Sequence, residues 1–258
     1  MATLSDMTSS KFNILAYGQP MSGKTRFIGT ILRALSKLNS TGKSRAYIFN
    51  CDTEDNLLPL RLLFPDIASQ IDYDQYTGPE GYEAMLKKIV ALRKDCPYDL
   101  VVVENGGQFH RMIFDYIMKV NGRTDADGAR IQDWGLASER VKVRLKEILA
   151  LQACVYVTFH QQIEKDEIFG RATGKLLVPG KFLPDEVPPM FNMFLHFMVS
   201  AKVGGEPDYW IQCATDNLWP AGDKTAALNF RESPDFEAML AKITKAKEGL
   251  AKKEEVKK

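Results

Sequence analysis

The sequence predicts an α/β fold built on a mostly parallel sheet, and three observations carry the prediction. Short apolar runs alternate with stretches of helical hydrophobic spacing along most of the chain. Two of those runs, Leu100-Val101-Val102-Val103 and Val155-Tyr156-Val157, are apolar at every position, as central strands covered on both faces are. Early in the chain a glycine-bearing turn joins an apolar run to an amphipathic stretch, the strand–turn–helix order of open α/β sheets.

Taken in order, residues 13–17 read as a first buried strand. Residues 26–38 read as the helix after it, with Phe27, Ile28, Ile31, Leu32, Leu35 and Leu38 on one face. Further strands are expected at 46–50, 100–103, 153–159, 195–199 and 209–213, and further helices at 82–94, 109–120 and 138–151. The last helix carries Val141, Leu145, Ile148 and Leu149 on one side and Arg140, Lys142, Arg144 and Lys146 elsewhere, a covering helix with a solvated basic side. Two long segments interrupt the alternation, 121–134 and 162–189, and loops of that length in a compact domain are usually functional. A final helix is expected from about Asp235. The organisation that follows is a flexible N-terminus over 1–11, a core over 12–232, and a C-terminal helix with a charged tail over 233–258.

Composition narrows the partners. The 258 residues carry a formal net charge of +1 and 45% hydrophobic residues, enough for a sizeable core and without a polyelectrolyte field. Any nucleic-acid contact must therefore come from a local patch. The four cysteines, Cys51, Cys96, Cys154 and Cys213, form no C-x-x-C pair, which fits a reducing cytoplasm and argues against a zinc site. Residues 1–11 lack the apolar centre of a signal peptide, and the apolar stretch 190–201 contains His196 and is too short to span a bilayer. No membrane partner is expected.

Gly18-Gln19-Pro20-Met21-Ser22-Gly23-Lys24-Thr25 completes the pattern G-x-x-x-x-G-K-[ST] in its required strand–helix context. The glycines let the backbone close on phosphates, and N–H groups at the helix start, reaching Arg26, form an anion nest. Lys24 supplies a mobile charge, and the Thr25 hydroxyl can ligate Mg²⁺. The expected ligands are ATP and Mg²⁺.

Ligands of open α/β sheets collect at the carboxyl ends of the strands. The strand at 46–50 leads into Cys51-Asp52-Thr53-Glu54, where Glu54 can polarise an attacking water, while Asp52 and Thr53 can equally cap a helix. The strand at 100–103 ends in Glu104, where a carboxylate would hold the Mg²⁺ shell. Glutamate is one methylene longer than the usual aspartate, so a part in the attack on phosphate is open as well. After residue 159 come His160 and Gln161, candidates to report whether a γ-phosphate is present, with a satisfied surface histidine as the alternative for His160. His110 and His196 are read as structural.

This order of segments resembles the RecA-like recombinase ATPases, and within them the small phage nucleotide-binding, Sak-four-like single-strand annealing proteins. The resemblance covers about residues 12–230 and rests on Gly18 to Thr25, Ala46 to Glu54, Leu100 to Glu104, Trp134-Gly135-Leu136-Ala137-Ser138 and Val157 to Gln161. It implies a RecA-like three-layer sandwich with a mostly parallel central sheet, Glu54 as catalytic carboxylate, and Gln161 as γ-phosphate sensor. The two long segments then fall where such proteins contact single-stranded DNA. The second contains Lys165, Phe169, Arg171, Lys175 and Lys181, cations with an aromatic, diluted by Glu164, Asp166 and Glu167. Ala221-Gly222-Asp223-Lys224-Thr225 resembles a late basic turn whose cation reaches a neighbouring subunit's nucleotide, which makes Lys224 a trans-acting finger in a ring or filament. The expected activity is a DNA-stimulated ATPase promoting annealing or strand exchange, with a single-strand DNA-binding protein as a further partner. Two other readings stay open, a motor or remodeller acting on a protein partner and a nucleotide-gated interaction protein with little turnover. The aspartate replaced by Glu104 is a departure from the family pattern, and no separate N-terminal oligomerisation helix is evident.

Overall fold

The computed structural model describes residues 11–123, 128–165, 170, 172–179, 183–201 and 204–255. β1 (Asn13–Gly18) leads through the glycine turn into α1 (Lys24–Leu38). There follow β2 (Ala46–Asn50), a 3₁₀ turn (Glu54–Leu57), α2 (Leu58–Leu63), β3 (Ile71–Gln75) and α3 (Gly78–Lys94). Next come β4 (Leu100–Glu104), α4 (Gly106–Val120), α5 (Ile131–Leu149), β5 (Cys154–Lys165), β6 (Ala172–Leu176) and α6 (Leu183–Glu186). The chain finishes with β7 (Met193–Ser200), β8 (Asp208–Gln212), β9 (Gly222–Asp223), β10 (Arg231–Glu232) and α7 (Phe236–Glu255).

The strands stand in the order β10-β8-β7-β1-β5-β4-β2-β3. The six from β7 to β3 are parallel, while β8 and β10 extend that sheet antiparallel. Side chains alternate between two faces. Ile14, Ala16, Ile48, Val102 and Tyr156 pack with α1 and α7, and Leu15, Tyr17, Phe49, Val103 and Phe159 pack with α3, α4 and α5. The result is the expected three-layer α/β sandwich with a mostly parallel central sheet. β5 lies between β1 and β4, so the turn after β1 and the acidic end of β4 face each other across one strand.

Three elements depart from expectation for identifiable reasons. α5 begins at Ile131 rather than residue 138, because buried Asp133 caps it by accepting from Arg130 N at 2.8 Å and Asn121 Nδ2 at 3.2 Å, and pairs with Arg123. β5 does not stop at residue 159. It runs on to Lys165 through residues that are polar apart from Ile163 and pairs antiparallel with β6, Gln161 opposite Leu176 and Lys165 opposite Ala172, so the second long segment contains a hairpin. β3 (Ile-Asp-Tyr-Asp-Gln) escaped notice because it is an edge strand, where aspartates are tolerated and discourage pairing with other chains.

Candidate functional site

The turn after β1 has little freedom to differ. A Cβ on Gly18 would fall 2.4 Å from the Phe197 carbonyl oxygen, and Gly23 sits at φ 94°, a left-handed conformation that favours glycine. Lys24 is buried and its Nζ donates to Gly18 O at 3.1 Å, Gln19 O at 2.7 Å and Ser22 Oγ at 3.4 Å. From beneath, the Tyr156 hydroxyl donates to Lys24 O at 2.9 Å. At the start of α1 no side chain caps the helix and no acidic residue stands in the first turn. α4 differs, since Asn105 Oδ1 accepts from Gln108 N at 3.0 Å. Free N–H groups at a helix start, beside an ammonium, are what a phosphate requires.

These groups border a cavity of about 560 Å³. Pro20, Met21, Ser22, Gly23, Lys24, Thr25 and Arg26 form one wall, and Asp52, Thr53, Asn56, Glu104, His160 and Tyr209 converge from other elements. Strand alternation explains the convergence. Asn50 stands opposite Glu104 in register, Thr158 and His160 share that face of β5, and Asp52 continues it beyond β2.

Electrostatics at the centre are strained by burial. Burial pushes the Glu104 carboxyl above the usual carboxylate range, with Lys24 opposing the rise, and burial pushes the Lys24 ammonium below its usual range, with Glu104 opposing the fall. The Thr25 hydroxyl donates to Glu104 Oε1 at 3.4 Å. Thr158 lies beside the same carboxyl and favours its charged form, yet neither Thr158 Oγ1 nor Glu104 Oε2 makes a well-formed hydrogen bond among the described residues. A buried carboxylate oxygen without a partner next to a threonine hydroxyl is a hard-oxygen pair, and it fits Mg²⁺. Among the described residues no three His, Cys, Asp or Glu side chains converge on a metal, so the pair suits an ion whose remaining ligands are phosphates and water.

The predicted residues separate into groups. Gly18, Gln19, Pro20, Met21, Ser22, Gly23, Lys24, Thr25, Arg26, Glu104 and His160 gather at the turn and its cavity. Glu54 does not: it is exposed at the head of the 3₁₀ turn and lies outside the cavity lining, because the chain swings outward after Thr53. Asp52 stands there instead. Its Oδ2 accepts from Asn105 Nδ2 at 2.6 Å and its Oδ1 from Thr53 N at 2.9 Å. Gln161 is on the opposite face of β5 from His160, where its Oε1 lies 2.8 Å from His196 Nε2. Among the described residues His160 Nδ1 has no partner, and burial, then Lys24, push this ring below the usual histidine range.

The predicted nucleic-acid contacts are mixed. Lys165 is exposed at the end of β5. Lys175 is half-buried and held by Glu164 at 2.8 Å and Asp185 at 3.5 Å. Phe169, Arg171 and Lys181 lie outside the described residues. Lys224 does not line this chain's nucleotide cavity; its Nζ donates to Pro189 O at 3.0 Å beside a second cavity of about 550 Å³. Sequence reasoning weighed Asp52 and Thr53 only as caps and passed over Asn56, Asn105 and Tyr209. Alternation through Asn50 could have found Asp52, whereas nothing local marks Tyr209, which arrives from β8.

The family described as AAA domain matches residues 10–225. No curated protein matches the chain. Among solved structures, a KaiC-like protein from the hyperthermophilic archaeon Pyrococcus horikoshii is similar, with 9% identity, 78% of this chain and 77% of that chain covered, and a TM-score of 0.44.

Proposed function

The chain belongs to the AAA domain family of P-loop ATPases, and from that premise we propose that it is a Mg²⁺-dependent ATPase coupled to single-stranded DNA. Lys24 would exchange its carbonyl partners for oxygens of the β and γ phosphates, and the free N–H groups at the start of α1 would complete the cradle. Thr25 and Glu104 would hold Mg²⁺, which when bound neutralises charge between the β and γ phosphates. Asp52, fixed by Asn105, orients the attacking water, and His160, its Nδ1 unpartnered, meets the γ-phosphate end.

One observation carries the coupling. β5 runs as a single strand from the nucleotide cavity, which it lines with His160, out to Lys165, and β6 pairs back along it. A change at the phosphate therefore has a short, continuous path to an outlying hairpin. Lys165 faces solvent on that hairpin, and Lys175 becomes available to DNA if Glu164 and Asp185 release it. On this reading the protein promotes annealing or strand exchange. Copies assemble head to tail in a ring or filament, with Lys224 of one copy over the next copy's nucleotide.

A second reading has its own support. Ile163 and Leu177 are 53% and 47% exposed on the hairpin and just past it, and the neutralised Lys175 suits a protein partner better than a phosphate backbone. The two are separated by ATPase rates with and without single-stranded DNA at low and high salt. The DNA reading expects stimulation of about fivefold or more that fades with salt. An unstimulated rate, with DNA affinity indifferent to nucleotide, refutes it and leaves the protein-partner reading.

A further inference from the structure

On the far side of the sheet from the nucleotide cavity lies a buried polar cluster that the proposed reaction does not use. His196 of β7 is fully buried, stacked on Tyr17 at 4.5 Å and packed against the tilted Trp219 ring at 4.4 Å between ring centroids. Its Nε2 faces Gln161 Oε1 at 2.8 Å and its Nδ1 faces Gln212 Oε1 at 3.4 Å. A neutral imidazole donates from one nitrogen only, and the shorter contact takes the proton, so His196 donates to Gln161. Burial holds this ring well below the usual histidine range, to about 4, so it is neutral near pH 7.

Each member of the cluster has a neighbour with a different duty. Gln161 follows His160, which lines the nucleotide cavity. His196 precedes Phe197, whose carbonyl presses on Gly18 of the phosphate loop, and Tyr17 precedes Gly18 itself. Gln212 Nε2 donates to Ala214 O at 2.8 Å and Trp219 O at 3.1 Å, fixing the segment after β8. That segment seats the hairpin: Gly174 N donates to Leu218 O at 2.7 Å, and a Cβ on Gly174 would fall 1.8 Å from the Trp219 ring. The cluster thus touches the phosphate loop at one end and the hairpin at the other.

We propose that His196 is a positioning residue that ties the seat of the β5–β6 hairpin to the phosphate loop, so that nucleotide binding is transmitted to the hairpin through it. In this latch, formed by His196 with Gln161 and Gln212, Gln161 acts as the hairpin's anchor rather than as a direct phosphate contact. The inference rests on the nucleotide-binding reading and not on the identity of the hairpin's partner.

Hydrogen–deuterium exchange of the full chain, with and without Mg²⁺ and a non-hydrolysable ATP analogue, tests it. In the wild type the analogue is expected to slow exchange at the phosphate loop and also, about fivefold or more, at the amides of Gly174 and Leu177. His196→Phe keeps the aromatic stack and removes the polar contacts. It should retain protection at the phosphate loop and lose the hairpin response. His196→Gln, which keeps a donor for Gln161, should restore at least half of that response. Should His196→Phe not fold, Gln212→Met removes the cluster's link to the segment after β8 and is expected to uncouple the hairpin in the same way. A hairpin response that survives in the folded variants, or a wild type that responds at the phosphate loop alone, overturns the proposal. No response at the phosphate loop would overturn the nucleotide reading, and the latch with it.

Discussion

The two faces of the sheet, at the same end of the same strands, treat their polar groups in opposite ways. On the α1 side Glu104 Oε2, Thr158 Oγ1 and His160 Nδ1 are buried without partners among the described residues. On the α4 side His196 donates to Gln161, and Gln212 and Tyr17 donate to nearby carbonyls, Tyr17 to Pro220 O at 2.6 Å. An unpaired buried polar atom costs about 1–3 kcal/mol, so a fold that keeps three together is arranged for a ligand that pairs them. A satisfied cluster is arranged to hold the fold's own parts in place. The contrast separates where chemistry is expected from where its consequences are passed on.

The largest effect should come from the centre of the unsatisfied face. Lys24→Ala is expected to lower kcat/KM for ATP by about a thousandfold or more, since it removes the cation aimed at the phosphates. Turnover surviving in that variant would break the assignment of the cavity. Glu104→Gln should reduce kcat by about a hundredfold with the fold intact, and Glu104→Asp measures whether the longer carboxylate limits the rate; a kcat unmoved by either change removes Glu104 from the metal shell.

Asp52 against Glu54 sharpens the same contrast at smaller scale. Asp52→Asn is expected to lower kcat by about thirtyfold, and Glu54→Gln at least tenfold less than that. The reverse ranking in steady-state assays would return the water-orienting role to Glu54.

The smallest effect tests the limit of reading function from unpaired atoms. His110 is fully buried, stacked near Trp134 and outside the cavity lining, and neither ring nitrogen has a partner among the described residues. Burial, then Arg111, lower its pKa to about 4, below the unfolded value of about 6.5. The folded state therefore refuses a proton that the unfolded state accepts between those values. Stability from this group is complete above about pH 6.5 and is lost as pH falls towards 4, amounting to about 2 kcal/mol at pH 5. His110→Leu should flatten the fall in denaturant stability between pH 7 and pH 5 by about that amount without changing ATP turnover near pH 7. A changed turnover would join His110 to the site.

What the sequence shows plainly is whatever is encoded locally. The turn from Gly18 to Thr25 and the all-apolar β4 and β5 starts declare themselves, because close backbone approach and double-sided burial leave few residue choices. Glu104 and His160 follow from their places at strand ends. The extension of β5 into a hairpin is hidden because its residues after Phe159 are polar apart from Ile163, and those from Gln161 on pair with β6 rather than with the central sheet. Glu54 stays outside the cavity lining because a strand's alternation stops where the chain turns, and the 3₁₀ turn begins one residue after Thr53. The His196 cluster was illegible for a different reason: it joins four strands, β1, β5, β7 and β8, distant in the chain.

Trp219 gives the latch an optical readout. Of the three tryptophans, Trp134 stacks on Phe114 at 4.0 Å and Trp210 lies beneath Arg231 at 4.7 Å, both away from the hairpin seat. Trp219 alone touches both His196 and Gly174. With the other two replaced by phenylalanine, its emission would follow the seating of the hairpin in real time, and a stopped-flow trace would time that movement against phosphate release.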